Sequence, residues 1–214
     1  MVRFSEYNAF IFDLDGTLID SERFHTEAFA RAVQRLTGYE LTPAERIGFF
    51  KSHTRSFYPE LAARHGLRAD GDEVRALKRR LVDEIFVVEP MPGALPFVHK
   101  WAAQKRYGLV SNSAHSFVRG ALRDLHILDL FEAVRGGEHS AQLKPHPEPY
   151  QNLLAEMNQA SESALVFEDT VGGVCAALAA GCACVFVETG AVRARQELPR
   201  DVPQLSWQEL LEMT

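Results

Sequence analysis

From Tyr107 onward the chain repeats one pattern: a short apolar run, a polar break, then apolar residues at helical spacing. "YGLV" (107–110) leads through "SNS" into "HSFVRGALRDLHI", where Phe117, Val118, Ala121, Leu122 and Leu125 share one helical face. "FEAVRGG" (131–137) reads as a short strand. "PEPYQNLLAEMNQ" reads as a helix with Pro149 near its first turn, where a missing N–H costs nothing. "ALVF" (164–167) is a strand, "VGGVCAALAAG" a small-residue helix closed by Gly181, and "ACVFVE" another strand. "PQLSWQELLEM" supplies a short strand and a last helix. Strands that alternate with helices in this way require a parallel, doubly wound sheet with helices on its faces, a Rossmann-like α/β core. The apolar run "AFIF" (9–12) belongs to the same pattern.

The segment between "AFIF" and "YGLV" does not. From Ser21 to Val87 the patterns are helical and no strand is convincing. "SERFHTEAFARAVQRLTG" places Phe24, Ala28, Phe29, Ala32, Val33 and Leu36 at helical spacing, with Asp20 or Ser21 as cap and Gly38 as stop. "RSFYPELAARHG" and "DEVRALKRRLVDEIF" follow, and "EPMPGA" (89–94) breaks the helical pattern and returns the chain to the core. The expected organisation is an α/β core of residues 1–20 and 88–214 with an α-helical cap domain, 21–87, inserted into it. The basic cluster Arg75, Lys78, Arg79 and Arg80 reads as a solvated helix face.

Composition narrows the function classes. A formal net charge of -6 gives a nucleic-acid partner no support, so an anionic substrate must be drawn by a local cationic site. No apolar stretch approaches the about 20 residues that span a bilayer. The N-terminus lacks the apolar stretch and cleavage site of a signal peptide, so no membrane association and a cytoplasmic location are expected. Cys175, Cys182 and Cys184 lie in alanine-rich apolar surroundings and read as small buried residues.

In an open parallel sheet, ligands sit outside the carboxyl ends of the strands. Asp13-Leu14-Asp15-Gly16-Thr17 follows "AFIF", Ser111-Asn112-Ser113 follows "YGLV", and Glu168-Asp169-Thr170 follows "ALVF". "FEAVRGG" leads on to Lys144 in "LKPHPEPY". Each cluster alone is an ordinary turn, cap or surface loop. Together they crowd carboxylates at one sheet edge, where they repel unless a cation holds them. Few hard oxygen ligands with room for water and phosphate suit Mg²⁺, and a lysine with hydroxyl and amide donors suits a phosphate group. Gly16 permits a conformation that a side chain would hinder, and Thr17 is placed to cap the next turn.

With "DLDGT", "VSNS", "KPHPEPY" and "FEDTVGG" in this order, the chain resembles a haloacid-dehalogenase-superfamily phosphohydrolase with a helical cap inserted after the first motif. The similarity is closest to the phosphatase and β-phosphoglucomutase branch and covers nearly the whole chain. The resemblance implies a Mg²⁺-dependent enzyme in which Asp13 is nucleophile and metal ligand, forming an aspartyl-phosphate. Asp15 is then the general acid, later the base for water, and meets the metal through its backbone carbonyl. Ser111 and the Asn112 backbone N–H bind the phosphoryl group, and Lys144 bridges phosphate and Asp13. Asp169 completes the metal site, with Glu168 a ligand directly, through water or one shell further out. The physics agrees: a carboxylate attacking an anionic phosphate is repelled unless Mg²⁺ and a lysine screen both, and an acyl-phosphate divides one hard step into two.

The cap is expected to choose the substrate and exclude water. His25 stands where the mutase branch also has a histidine. "KSHTR" (51–55) is similar to that branch's loop at Lys51, Thr54 and Arg55, with Ser52 in place of its glycine. His25, Lys51 and Arg55 are therefore the candidate substrate contacts. The expected function is hydrolysis of a small phosphorylated metabolite, a sugar phosphate or similar phosphomonoester, by a monomer or weak homodimer. The alternatives are a β-phosphoglucomutase-like phosphosugar mutase, a phosphonate hydrolase, or a non-catalytic phosphate-binding module.

Overall fold

The computed structural model describes residues 2–50, 54–188, 198–199 and 201–213. The described chain divides into two compact units, residues 2–20 with 88–188 and the described residues that follow, and residues 21–87.

The first unit is built on six strands. They are β1 (Ala9–Phe12), β2 (Arg106–Val110), β3 (Phe131–Arg135), β4 (Ala164–Glu168), β5 (Ala183–Val187) and β6 (Gln204–Leu205). They form one sheet in the order β3-β2-β1-β4-β5-β6, every pair parallel. This is the doubly wound α/β arrangement that the alternating pattern requires. The chain works outward from β1 through β2 to β3, then returns to β4 on the other side of β1. β1 and β4 are buried along their whole length, which is why both read as unbroken apolar runs up to their polar ends.

Alternate residues of β1 serve opposite faces. Phe10 and Phe12 lie with Tyr107 and Phe167 on one face, packed against Phe97 of α5 (Ala94–Trp101) and Trp207 of α9 (Trp207–Glu212). Ala9 and Ile11 join Val166 on the other face. There they meet Tyr150, Leu153 and Met157 of and beside α7 (Glu148–Glu156), and Val174 of α8 (Val171–Ala179). Helix α6 (His115–Asp124) packs by β3.

The second unit holds α1 (Glu22–Thr37), α2 (Pro43–Phe50), α3 (Thr54–His65) and α4 (Gly71–Ile85). Its own core joins Phe29 and Val33 of α1 to Phe49, Tyr58, Leu61, Val74 and Leu81. The Phe29 and Phe49 rings stack with centroids 4.0 Å apart. α1 ends at Gly38, whose φ of 75° a glycine adopts at little cost. α4 is capped by the Asp70 carboxylate, which accepts from the Asp72 and Glu73 backbone N–H groups. α2 opens on a reciprocal cap: the Thr42 N–H donates to Glu45 Oε2 at 2.9 Å, and the Glu45 N–H to Thr42 Oγ1 at 3.3 Å. Among the described residues no helix is long and apolar enough to cross a membrane.

Candidate active site

The register of the sheet fixes the site. Phe12 of β1 stands opposite Leu109 of β2 and Phe167 of β4, so the polar residues that follow these strands emerge side by side. They emerge where the strand order reverses, the place at which open α/β sheets bind ligands. The Asp13 N–H donates to the Phe167 carbonyl at 3.0 Å, carrying the β1–β4 ladder one residue past the strand. Gly16, at φ 78°, then turns the chain, and its N–H reaches the Ile19 carbonyl at 2.8 Å.

Lys144 is the hub. Its Nζ donates to Asp13 Oδ1 at 2.7 Å, to Glu168 Oε1 at 2.6 Å and to the Val110 carbonyl at 2.8 Å. Its side chain is 5% exposed. Burial alone would lower its pKa, but Asp13 and Glu168 outweigh burial and hold the ammonium well above the usual lysine range. The Lys144 backbone is pinned by Asn112, whose Oδ1 accepts the Lys144 N–H at 3.1 Å and whose Nδ2 donates to the Lys144 carbonyl at 3.2 Å. Thus the loop after β2 places the lysine that serves the loop after β1.

Two residues past Asp13, the half-buried Asp15 meets a different environment. Its Oδ2 accepts from Ser113 Oγ at 2.6 Å and Ser111 Oγ at 3.3 Å. Burial drives the Asp13 pKa well up; Lys144 opposes this, while Glu168, Asp169 and Asp15 add to it. Among the described residues, four carboxylates share the edge with one ammonium.

The donor set fits a hard divalent cation. Among the described residues, Asp13, Glu168 and Asp169 bring three buried carboxylate oxygens within 4.8 Å of one another. The surplus of negative charge that raises the Asp13 pKa is what such an ion would neutralise.

The sequence-predicted core residues Asp13, Asp15, Ser111, Asn112, Lys144, Glu168 and Asp169 thus lie at the ends of β1, β2 and β4 or on the loop after β3. In the helical unit, His25 is half-buried on α1 and Arg55 is exposed in the first turn of α3, while Lys51 lies outside the described residues. Thr17 departs from its expected role as a cap: its hydroxyl donates to Asp169 Oδ1 at 3.4 Å. Sequence reasoning missed Ser113, which holds Asp15, and Tyr150, whose hydroxyl donates to Glu168 Oε1 at 2.9 Å. Both stand inside motifs already singled out, Ser113 in "VSNS" and Tyr150 in "KPHPEPY".

The family model for haloacid dehalogenase-like hydrolases matches residues 10–187. The chain belongs to that family. A validoxylamine A 7'-phosphate phosphatase of Streptomyces hygroscopicus subsp. limoneus is 28% identical over 94% of this chain and 97% of its own. A phosphoglycolate phosphatase of Yersinia pseudotuberculosis is 30% identical over 89% of this chain and 84% of its own. Among solved structures, a Thermotoga maritima protein carrying a provisional beta-phosphoglucomutase name superimposes with a TM-score of 0.76. It covers 96% of this chain and 97% of its own at 24% identity, a likeness of fold. This haloacid dehalogenase-like hydrolase is therefore an enzyme, with phosphatases among its named relatives.

Proposed function

We propose that the protein is a Mg²⁺-dependent phosphatase of a small phosphorylated metabolite, working through an aspartyl-phosphate on Asp13. The observation that carries this reading is the Lys144 ammonium 2.7 Å from Asp13, at an edge where Asp13 and Asp169 offer oxygens to a cation. Two relatives named for removing phosphate from small phosphorylated molecules support it.

An Asp13 oxygen attacks phosphorus, and the bond from phosphorus to the ester oxygen breaks. Asp15 gives its proton to the departing alkoxide. Water then attacks the aspartyl-phosphate while Asp15 takes a proton back, releasing inorganic phosphate and restoring the Asp13 carboxylate. Ser111 and Ser113 hold the Asp15 carboxyl in place, and the loop spacing keeps it beside Asp13 without sharing Lys144. Lys144 draws charge from nucleophile and phosphoryl group together. Bound Mg²⁺, held by Asp13, Asp169 and the Asp15 backbone carbonyl, supplies the remaining neutralisation of negative charge. His25, Lys51 and Arg55 are the proposed substrate contacts of the helical unit.

The test is phosphate release from a panel of sugar and small-acid phosphates, with and without Mg²⁺. Release that requires Mg²⁺ and disappears in Asp13→Asn is the expected result. A folded wild-type protein that hydrolyses no member overturns the reading. The "KSHTR" segment favours one rival, a phosphosugar mutase in which a sugar hydroxyl rather than water captures the phosphoenzyme. Sugar-phosphate isomerisation with a bisphosphate primer, in place of phosphate release, would establish it.

A further inference from the structure

Glu168 is fully buried at the end of β4, and its carboxylate is already engaged on both oxygens. Oε1 accepts from Lys144 Nζ at 2.6 Å and Tyr150 Oη at 2.9 Å. Oε2 accepts from the Asp169 N–H at 3.1 Å, the Thr170 N–H at 3.2 Å and Thr170 Oγ1 at 3.0 Å. A carboxylate has about four lone-pair sites, so these donors occupy it completely. The carboxyl lies flat against α8, where a Cβ on Gly173 would stand 1.9 Å from Glu168 Oε1. It has no room to withdraw toward that helix.

Lys144 is equally determined, because its three donor bonds use all its protons. The Tyr150 side chain touches both members of this pair. Tyr150 is fully buried on α7, its hydroxyl on Glu168 and its ring centroid 5.1 Å from Lys144 Nζ. The ring supports the cation, and the hydroxyl fixes the oxygen that anchors it.

We propose that Tyr150 is a positioning residue: its hydroxyl locks the Glu168 carboxylate as the anchor that holds Lys144 against Asp13, so that Glu168 serves the lysine and not the metal. This rests on the reading of Asp13 as the nucleophile. The first group affected is Lys144, whose alignment matters most as charge develops at phosphorus, so the effect falls on kcat.

Tyr150→Phe keeps the ring and the volume and removes one donor. With wild-type phosphatase activity established on the panel, the variant is expected to lose about tenfold in kcat, the size of one hydrogen bond to a charged group. KM and the Mg²⁺ dissociation constant measured by calorimetry should stay within about twofold of wild type, a margin under the 1.4 kcal/mol of a tenfold change. Tyr150→Met, an unbranched apolar replacement, gives a second reading if the phenylalanine variant does not fold. Unchanged kcat in a folded variant overturns the inference, even if its melting temperature falls. A loss of Mg²⁺ affinity matching the loss in kcat also overturns it, because Glu168 would then be held for the ion. A wild-type protein that releases no phosphate removes the functional reading itself, a result distinct from either.

Discussion

Lys144 is the residue on which the site's electrostatics depend. Its ammonium is shared between Asp13 and Glu168, both buried, and no other cation is bonded to either among the described residues. Lys144→Met would leave two buried carboxylates facing each other. Removing one partner of a buried ion pair costs about 3–5 kcal/mol. The expected outcome is a large fall in melting temperature without divalent ion, partly reversed by Mg²⁺, together with loss of phosphate release. Thermal melts with and without Mg²⁺ check this, and a variant as stable as wild type in both would contradict it. Asp13 and Glu168 were legible in the sequence as acidic residues of the site because each follows an apolar run at a strand end, although Glu168 reads there as a metal ligand. Ser113 and Tyr150 were not, because a hydroxyl gains a role only when tertiary contacts bring a carboxylate to it.

At the level of elements, α2 depends on Glu45. This carboxylate completes the cap with Thr42 and also accepts from the Tyr39 hydroxyl at 3.0 Å, while His65 Nε2 lies 2.7 Å from it. Burial pushes its pKa up, but the Thr42, His65 and Tyr39 donors prevail and take it from the ordinary 4.5 to about 2. A carboxyl lowered on folding stabilises the native state above its unfolded value, and that contribution fades as pH falls through the folded one. Glu45→Gln should therefore melt below wild type at neutral pH, with the gap closing between 4.5 and about 2. A gap that does not change across that window would assign the loss to packing. Helices α2 and α5 escaped the periodicity reading for a local reason. "PAERIGFF" carries Gly48 and "ALPFVHKW" carries Pro96 within eight residues each, and both sit beside proline or glycine breaks. The cap of α6 escaped it too. "SNS" was the expected cap, yet the N-cap is Ala114, and the first N–H, from His115, is taken by the Glu138 carboxylate at 2.9 Å. A partner 23 residues away in sequence leaves no local signal.

On the scale of the molecule, each unit has its own hydrophobic core, so their stabilities can be separated. Both tryptophans, Trp101 and Trp207, belong to the α/β unit. Indole fluorescence therefore reports that unit, while circular dichroism reports the helices of both. Phe29→Ala removes a fully buried ring from the helical core, a change of about 3–5 kcal/mol. It should pull the dichroism transition to lower temperature while the fluorescence transition stays near the wild-type value. A single shifted transition seen by both probes would show that the units unfold together. The fold class was readable because strand and helix alternate along the second half of the chain. The pairing order β3-β2-β1-β4 was not, because it depends on which apolar runs meet after collapse.

That order has a consequence for how the protein is made. β1 occupies residues 9–12, yet its two neighbours are β2 at 106–110 and β4 at 164–168. A growing chain thus carries a fully apolar strand with both edges unpaired until residues 106–110 are made, and with one edge still unpaired until residues 164–168 follow. Long-range pairing of this kind is slow and leaves sticky edges open to other nascent chains. The same central position that places Asp13 at the end of β1 leaves that strand exposed longest during synthesis.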